Sequence, residues 1–501
     1  MVDVPPEIWH YVSRFVPDEQ LCMLLGVNSV FLDIGMDIRW REVSIGTRNT
    51  TNAMRILKRL SDPYVANRMH KLSLHLTHVK GHSTHGSQEN ANDFKHLKQQ
   101  FNLTINRVFN FLRGDNHEAE ALSHNPKRPR PTFSNVIDGI IDATPLFVNV
   151  RDLTIDSWDL PPSYDLKSLF ASFWKSPFGP NLRALSLGGN MEGYRIFIQS
   201  NPSLKHLKDL RLEFTNNLFR VDLEEDAGIL VDIVAPFVNS LSSHLETLRI
   251  WSWASLDLSV FFKSLAVLPM LHGLNVRMPF NKALRDDPSG LKDLISNCSA
   301  TLQKLDLRLN PSGLPVNPVL EEPLSQWLTD CVADERCFAQ LRSLDIYPTT
   351  MTAGVDVLLA CIRRAADTLT HLTVRDRYLQ PPEVEQVVNV VAKCTGLTYL
   401  KLNIWRLDVA LLDLLAAKVP GVRHLWLSVG EVLSNANNEN GGLGHAFLQD
   451  LNQRSYTNWK LKDISIWQGG SEMDRDTMLA LARTIPSVNS FFEQGHMDLT
   501  Q

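Results

Sequence analysis

Two sets of side chains have types and spacings that could do chemistry. The first is His75, His78, His82 and His85, at i, i+3, i+7 and i+10. On a helix these would face one way, and imidazoles so placed bind zinc. Gly81, Ser83, Thr84 and Gly86 interrupt any helix there, so the stretch reads as a polar loop and no metal is expected. The second set is Arg249, Trp251, Arg277, Arg308, Tyr347 and Arg375. Arg, Trp and Tyr dominate binding hot spots. Guanidinium forks hold carboxylate and phosphate through paired hydrogen bonds. These six residues are therefore candidates for binding an acidic or phosphorylated segment of another protein. The sequence contains no G-x-x-x-x-G-K-[ST], H-E-x-x-H or G-x-S-x-G, so neither an enzyme nor a cofactor is expected.

The elements that must position the second set come from a recurring phrase. L-x-x-L-x-L stands at Leu182/Leu185/Leu187, Leu207/Leu210/Leu212, Leu302/Leu305/Leu307 and Leu397/Leu400/Leu402. With Ile or Val in third place it recurs at Leu245/Leu248/Ile250, Leu271/Leu274/Val276, Leu341/Leu344/Ile346 and Leu369/Leu372/Val374. Weaker copies at Met69/Leu72/Leu74, Val150/Leu153/Ile155, Val422/Leu425/Leu427 and Leu461/Ile464/Ile466 bring the total to twelve. From Leu185 onward the middle residues follow one another at intervals of 25 to 39. The phrase resembles the leucine-rich repeat, in which it forms a short strand. Alternate strand residues point to opposite faces, so the second and third apolar positions face a core shared by stacked units. The residues between and after them face outward. The outward column after the third apolar position reads Gly188, Glu213, Trp251, Arg277, Arg308, Tyr347, Arg375, Asn403, Ser428 and Trp467. The column between reads Ser186, Arg211, Arg249, Asn275, Asp306, Asp345, Thr373, Lys401, Trp426 and Ser465. Cross-strand pairing is the plainer fate of these charges. Arg308 could pair with Asp345, and Asp209, Asp306 and Asp345 together could neutralise the arginines. The expected class is α/β, a solenoid with parallel strands on the concave side and helices on the convex side.

Length and composition agree. A chain of 501 residues exceeds one ordinary compact core, a limit that a solenoid escapes by growing in one dimension. A net charge of -5 argues against a general nucleic-acid binder. No run approaches the roughly 18 apolar residues of a membrane helix, and neither a secretory leader nor a lipidation box is visible. The six cysteines are scattered through apolar stretches, which reads as reduced thiols of the cytoplasm or nucleus.

Residues 1–47 differ from the rest. Pro5 and Pro6 suit a first helical turn, and Ile8, Val12 and Phe15 follow at helical spacing. Pro17 stops that helix and Asp18 is placed to cap the next, along which Leu21, Leu24, Val27 and Phe31 form a stripe. This arrangement resembles the F-box. Pro5, Glu7 and Ile8 match its opening, Val16 and Pro17 its break, and Leu21, Leu24, Val27 and Phe31 its second helix, with Trp40-Arg41-Glu42-Val43 at the end. Val4 stands for the usual Leu, and Asn28 for the usual Cys. The resemblance implies docking onto a Skp-type adaptor, and through it a cullin, with Pro5, Ile8, Leu21, Leu24 and Val27 in the contact.

Residues 48–150 read as irregular first repeats, with polar loops at 77–92 and 114–132 and one repeat degenerate or interrupted between Leu72 and Leu153. Within the second loop, Pro126-Lys127-Arg128-Pro129-Arg130 is similar to a short nuclear-import signal or is a plain solvated loop. Residues 151–501 read as cleaner repeats, interrupted by loops at 309–323 and 430–442. An F-box followed by such repeats implies the substrate-recognition subunit of a Skp–cullin–F-box ubiquitin ligase in the cytoplasm, the nucleus or both. The alternative is a protein-interaction scaffold with no ubiquitin transfer.

Overall fold

The computed structural model describes residues 4–77, 131–158, 160, 164, 166–217, 222–254, 256–309, 318–432, 445–469 and 471–493. Their chain forms two compact units. One comprises the described parts of Met1–Leu182, Gly188–Leu204 and Asn217–Arg220; the other comprises those of Arg183–Leu187, Lys205–Asn216 and Val221–Gln501.

The first unit opens with three helices, Pro6–Ser13, Asp18–Leu21 and Ser29–Arg41. The middle one is a single turn. It starts after Pro17, and Asp18 is its first residue rather than its cap. Leu24 and Val27 lie beyond it, and Phe31 belongs to the third helix, where Asn28 accepts from the Phe31 N–H at 2.9 Å. The strands β1 (Glu42–Gly46), β2 (Lys71–His75) and β3 (Asp152–Ser157) pair in parallel. Their apolar residues stand side by side, Val43 by Leu72 by Leu153 and Ile45 by Leu74 by Ile155. β2 pairs directly with β3, so no strand stands between them in the sheet, as in a repeat that is interrupted between Leu72 and Leu153. The described part of that connection includes the helix Phe133–Ala143. The loops read at 77–92 and 114–132 lie outside the described residues, except for residues 77, 131 and 132, and so does Pro126–Arg130.

Strand β4 (Ala184–Gly189) is divided between the two units. The second unit carries β5 (Asp209–Phe214), β6 (Thr247–Ser252), β7 (Gly273–Arg277), β8 (Lys304–Arg308), β9 (Ser343–Ile346), β10 (His371–Leu379), β11 (Tyr399–Leu407), β12 (His424–Val432) and β13 (Asp463–Gln468). Each pairs in parallel with the next. The middle apolar residues Leu210, Leu248, Leu274, Leu305, Leu344, Leu372, Leu400, Leu425 and Ile464 form one unbroken file across the sheet. All are buried. Each contributes about 1.5–3 kcal/mol relative to exposure, so the file holds the stack in register. β14 (Ser471–Glu472) folds back antiparallel on β13, and β15 (Ser490–Phe491) pairs with β13 after the helix Arg475–Thr484.

Parallel strands need crossover connections, and the sequence marks where several of these helices start. Asn49, Asn190, Asp222, Asp257, Asn281, Asp408 and Asp474 each accept a backbone N–H from the first turn that follows. Such caps are worth about 0.5–2 kcal/mol each. Two of the loops read from sequence are shorter than expected. A helix begins at Pro318 inside 309–323, and β12 continues to Val432 inside 430–442. No helix of the described residues is long and apolar enough to cross a membrane.

Candidate functional site

The strand register builds both outward columns. Glu213, Trp251, Arg277 and Arg308 are successive Cα partners on β5 to β8. Arg211, Arg249, Asn275, Asp306, Asp345, Thr373, Lys401, Trp426 and Ser465 are successive partners from β5 to β13. Because their neighbours in each strand point into the core, a set of residues far apart in sequence meets on one face.

The centre of that face is Trp251. The Arg211 guanidinium lies 3.8 Å from its ring centroid, and that of Arg277 lies 5.1 Å away and 5.2 Å from the Trp253 ring. The Trp251 indole N–H donates to Asn275 Oδ1 at 2.9 Å, and Asn275 in turn donates to Asp306. Arg211 pairs with Glu213 at 2.7 Å. Arg375 donates through Nε to both oxygens of Asp345, at 2.7 and 2.6 Å, so Asp345 neutralises Arg375 and not Arg308. Arg277 and Arg308 stand on adjacent strands and form no ion pair with a described residue, and the Nε–H of each is buried with no hydrogen-bond partner among them. Burial, and then the charge of Arg308, lower the Arg277 pKa from its ordinary value. Arg249 is exposed in the neighbouring column. Tyr347 is not on this surface. It is 6% exposed, and its hydroxyl donates to the buried Glu321 at 3.1 Å, because the helix Pro318–Ala333 brings that carboxylate over the end of β9.

Asp306 carries a consequence for stability. Burial first, and then the Asp345 charge, push its carboxyl up to about 6 from 3.8. A carboxyl whose folded pKa is raised holds its proton more tightly folded than unfolded. Its contribution to stability is therefore full at low pH and is lost as pH rises through about 6. Asp306→Asn should stabilise the protein at pH 7.5 by on the order of 2–3 kcal/mol, with the gain shrinking between pH 6 and 4. Thermal melts of both chains across that range check it; equal gains at pH 7.5 and 4.5 would count against an ionised Asp306.

The other end of the face is aromatic. Tyr399 stacks between His371 and His424, with centroids at 5.6 and 6.3 Å. Trp426 and Trp467 lie 5.7 Å apart at 11°, with the Lys401 ammonium 3.8 Å from the Trp426 centroid. Burial, and then the charge of Arg375, lower Lys401 to about 8. Tyr378 and Trp405 are both exposed and meet edge to face at 6.4 Å. Gly430 makes room for them: a Cβ there would lie 3.2 Å from Trp405 Cε3 and 3.5 Å from Tyr378 Cδ1. The repeat phrase did not point to Trp253, Tyr378 or Trp405. The available signal was the aromatic residues that lie beyond the third apolar position, where β10, β11 and β12 run to nine residues each.

The residues expected to meet an adaptor are split. Ile8 and Val27 are 50% and 58% exposed, Pro5 is exposed and Leu24 is half-buried. Leu21 is 3% exposed and its carbonyl packs under Gly35, so it holds the helices together rather than facing outward. Tyr11, Val12, Phe15, Met23 and Leu32 are also exposed. The first and third helices are held by side-chain contacts. Trp9 packs on Phe31 at 5.3 Å, and Arg68 bridges Asp33, at 2.9 Å, and Asp37. His75 pairs with Asp156 at 2.8 Å, while His78, His82 and His85 lie outside the described residues. Among the described residues no three His, Cys, Asp or Glu side chains gather as a metal site. All six cysteines are free, and five are buried.

No family model and no curated protein matches the chain. Solved structures similar to it include the following two. A Bacteroides fragilis protein is 14% identical and covers 57% of this chain and 68% of its own, with a TM-score of 0.31. The yeast Rad7 and Elc1 complex is 16% identical and covers 71% of this chain and 97% of its own, with a TM-score of 0.29.

Proposed function

We propose that the chain is the substrate-recognition subunit of a Skp–cullin–F-box type ubiquitin ligase. Its first helices dock on a Skp-type adaptor, and the open face of its leucine-rich repeats holds a protein substrate that is acidic or phosphorylated. The carrying observation is the apolar surface of residues 4–32. Of the sixteen exposed large hydrophobic residues among those described, seven lie there: Ile8, Tyr11, Val12, Phe15, Met23, Val27 and Leu32. Such a concentration is costly in water and marks a surface that a partner covers. Pro5, Ile8 and Val27, which match the F-box pattern, belong to the exposed set, and Leu24 lies half-buried beside it. In this reading the chain breaks no bonds itself. It raises the local concentration of substrate near the ubiquitin-charged partner, in the cytoplasm or nucleus, where its free cysteines would stay reduced.

The test is co-purification. Ile8→Glu with Val27→Glu should reduce capture of the Skp-type adaptor at least ~100-fold, as expected for two interface anchors. The melting temperature should hold, because both side chains are exposed. Undiminished capture would remove the docking claim. Adaptor without cullin would favour the scaffold reading instead.

A further inference from the structure

The open face of the second unit changes character along its length. On β5 to β8 it presents Arg211, Arg249, Arg277 and Arg308, and on β10 to β13 it presents Tyr378, Trp405, Trp426 and Trp467. Between them the Arg375–Asp345 ion pair is internally satisfied. We propose that this face reads a two-part linear segment. One part is an anionic group held between Arg277 and Arg308; the other, about five residues away, is a large apolar side chain, preferably aromatic, laid on Tyr378 and Trp405. The inference rests on the open face being the substrate site.

Two adjacent guanidiniums that form no ion pair with a described residue repel each other in the free protein; the charges of Asp376, Asp306 and Glu213 offset part of that cost at Arg277, and a dianion between the two guanidiniums removes the rest. Their buried, unpartnered Nε–H groups are donors already withdrawn from water. The aromatic half has a separate warrant. Trp405 remains 45% exposed beside the exposed Tyr378, at the end of a run in which β11 alternates between face and core from Tyr399 to Ile404. Tyr378 reaches that position through an irregularity. The β10–β11 register shifts between Val374 and Leu379, and Asp376 adopts φ 65°, a left-handed conformation that is costly for a residue with a Cβ. Bulges of this kind re-aim side chains next to functional sites. Without the shift, continued alternation would not bring Arg375 and Tyr378 to the same face.

The spacing follows from strand geometry. Three strand intervals separate the β7–β8 boundary from the β10–β11 boundary, or roughly 14 Å at ~4.8 Å each. The aromatic pair also lies about one alternation farther along the strands. An extended peptide advances about 3.3 Å per residue, so about five residues bridge the gap.

The experiment uses synthetic peptides in a Gly-Ser background, read by fluorescence anisotropy against the full chain. One series carries phosphoserine and the other Asp-Asp, each with Trp five residues away on one side or the other. The better-binding order should lose at least tenfold when its Trp becomes Ala, when the spacing grows to ten, or when the protein carries Tyr378→Ala with Trp405→Ala. Both positions are exposed, and an unchanged melting temperature confirms folding. If the Trp-less peptide binds as tightly as the two-part peptide, the inference fails while the anionic site stands. If Arg277→Glu with Arg308→Glu also leaves binding unchanged, or no peptide binds, the substrate-site reading fails with it. Adaptor capture is measured separately and is untouched by either result. The two series show whether the anion is phosphate or carboxylate.

Discussion

Chains carrying Arg277→Glu together with Arg308→Glu should lose substrate capture by about three orders of magnitude while adaptor capture stays unchanged. The two guanidiniums stand side by side on adjacent strands, form no ion pair with a described residue, and each has a buried Nε–H with no hydrogen-bond partner among them. Replacing one such anchor removes at least ~2 kcal/mol, or roughly thirtyfold. Glutamate also adds repulsion at each position, so losses from the two together should be at least multiplicative. Capture by the unmodified chain should weaken as salt rises, because the attraction is partly exposed and screened. The same reversal at the exposed Arg475, on the helix Arg475–Thr484, should change little. Quantitative affinity purification of all three chains gives the comparison. A substrate set identical with and without the double reversal would move recognition away from this face.

The second large effect is on stability, and it depends on one close approach. The helix Ser289–Asn297 crosses the helix Leu258–Ser264 at Gly290, where a Cβ would stand 2.5 Å from the Lys263 backbone nitrogen and 2.8 Å from the Phe262 carbonyl carbon. Backbone atoms at such distances cannot move aside as a side chain would. Alanine there must push the two helices apart and loosen Leu291, Leu294 and Phe262, all buried. Gly290→Ala should therefore destabilise by about 2–3 kcal/mol, the range of overpacked cores, although alanine favours helix by itself. Gly228, in the helix Leu223–Ile229, has nothing within 4 Å of the corresponding position. There the same change should stabilise by about 0.5–1 kcal/mol. Opposite signs for one chemical substitution, read in parallel denaturant melts, test the packing. Two equal shifts would refute it.

Much of this architecture was legible because strand periodicity and burial are local. All twelve copies of the leucine phrase are strands, and nine of the middle residues form the file from Leu210 to Ile464. β1 carries no copy of the phrase, because Val43 and Ile45 stand where it would have leucine, and it lies within the stretch 1–47 that resembles the F-box. The two outward columns were also legible, since alternation decides which side chains share a face. What they do there was not. Whether Asp345 takes Arg308 or Arg375 depends on side-chain reach across neighbouring strands, and no spacing in the sequence expresses that. Tyr347 has the right place in the column, but a carboxylate from the preceding helix, Pro318–Ala333, draws it inward. Leu21 shows the same limit in the N-terminal helices, where one stripe serves both for internal packing and for exposure.

The position of β1 bears on how docking and recognition are to be separated by truncation. A chain beginning at residue 48 would lose more than the helices that resemble an F-box. It would strip Glu42–Gly46 from Lys71–His75 and uncover a row of backbone N–H and C=O groups along β2. A bare strand edge of that kind is a template for pairing with another chain. The burial of Leu72 and Leu74 against Val43 and Ile45 would go with it. A loss of binding in such a truncation would report self-association as readily as a missing adaptor. A cut between Arg41 and Glu42 removes the helices and keeps β1 paired along β2.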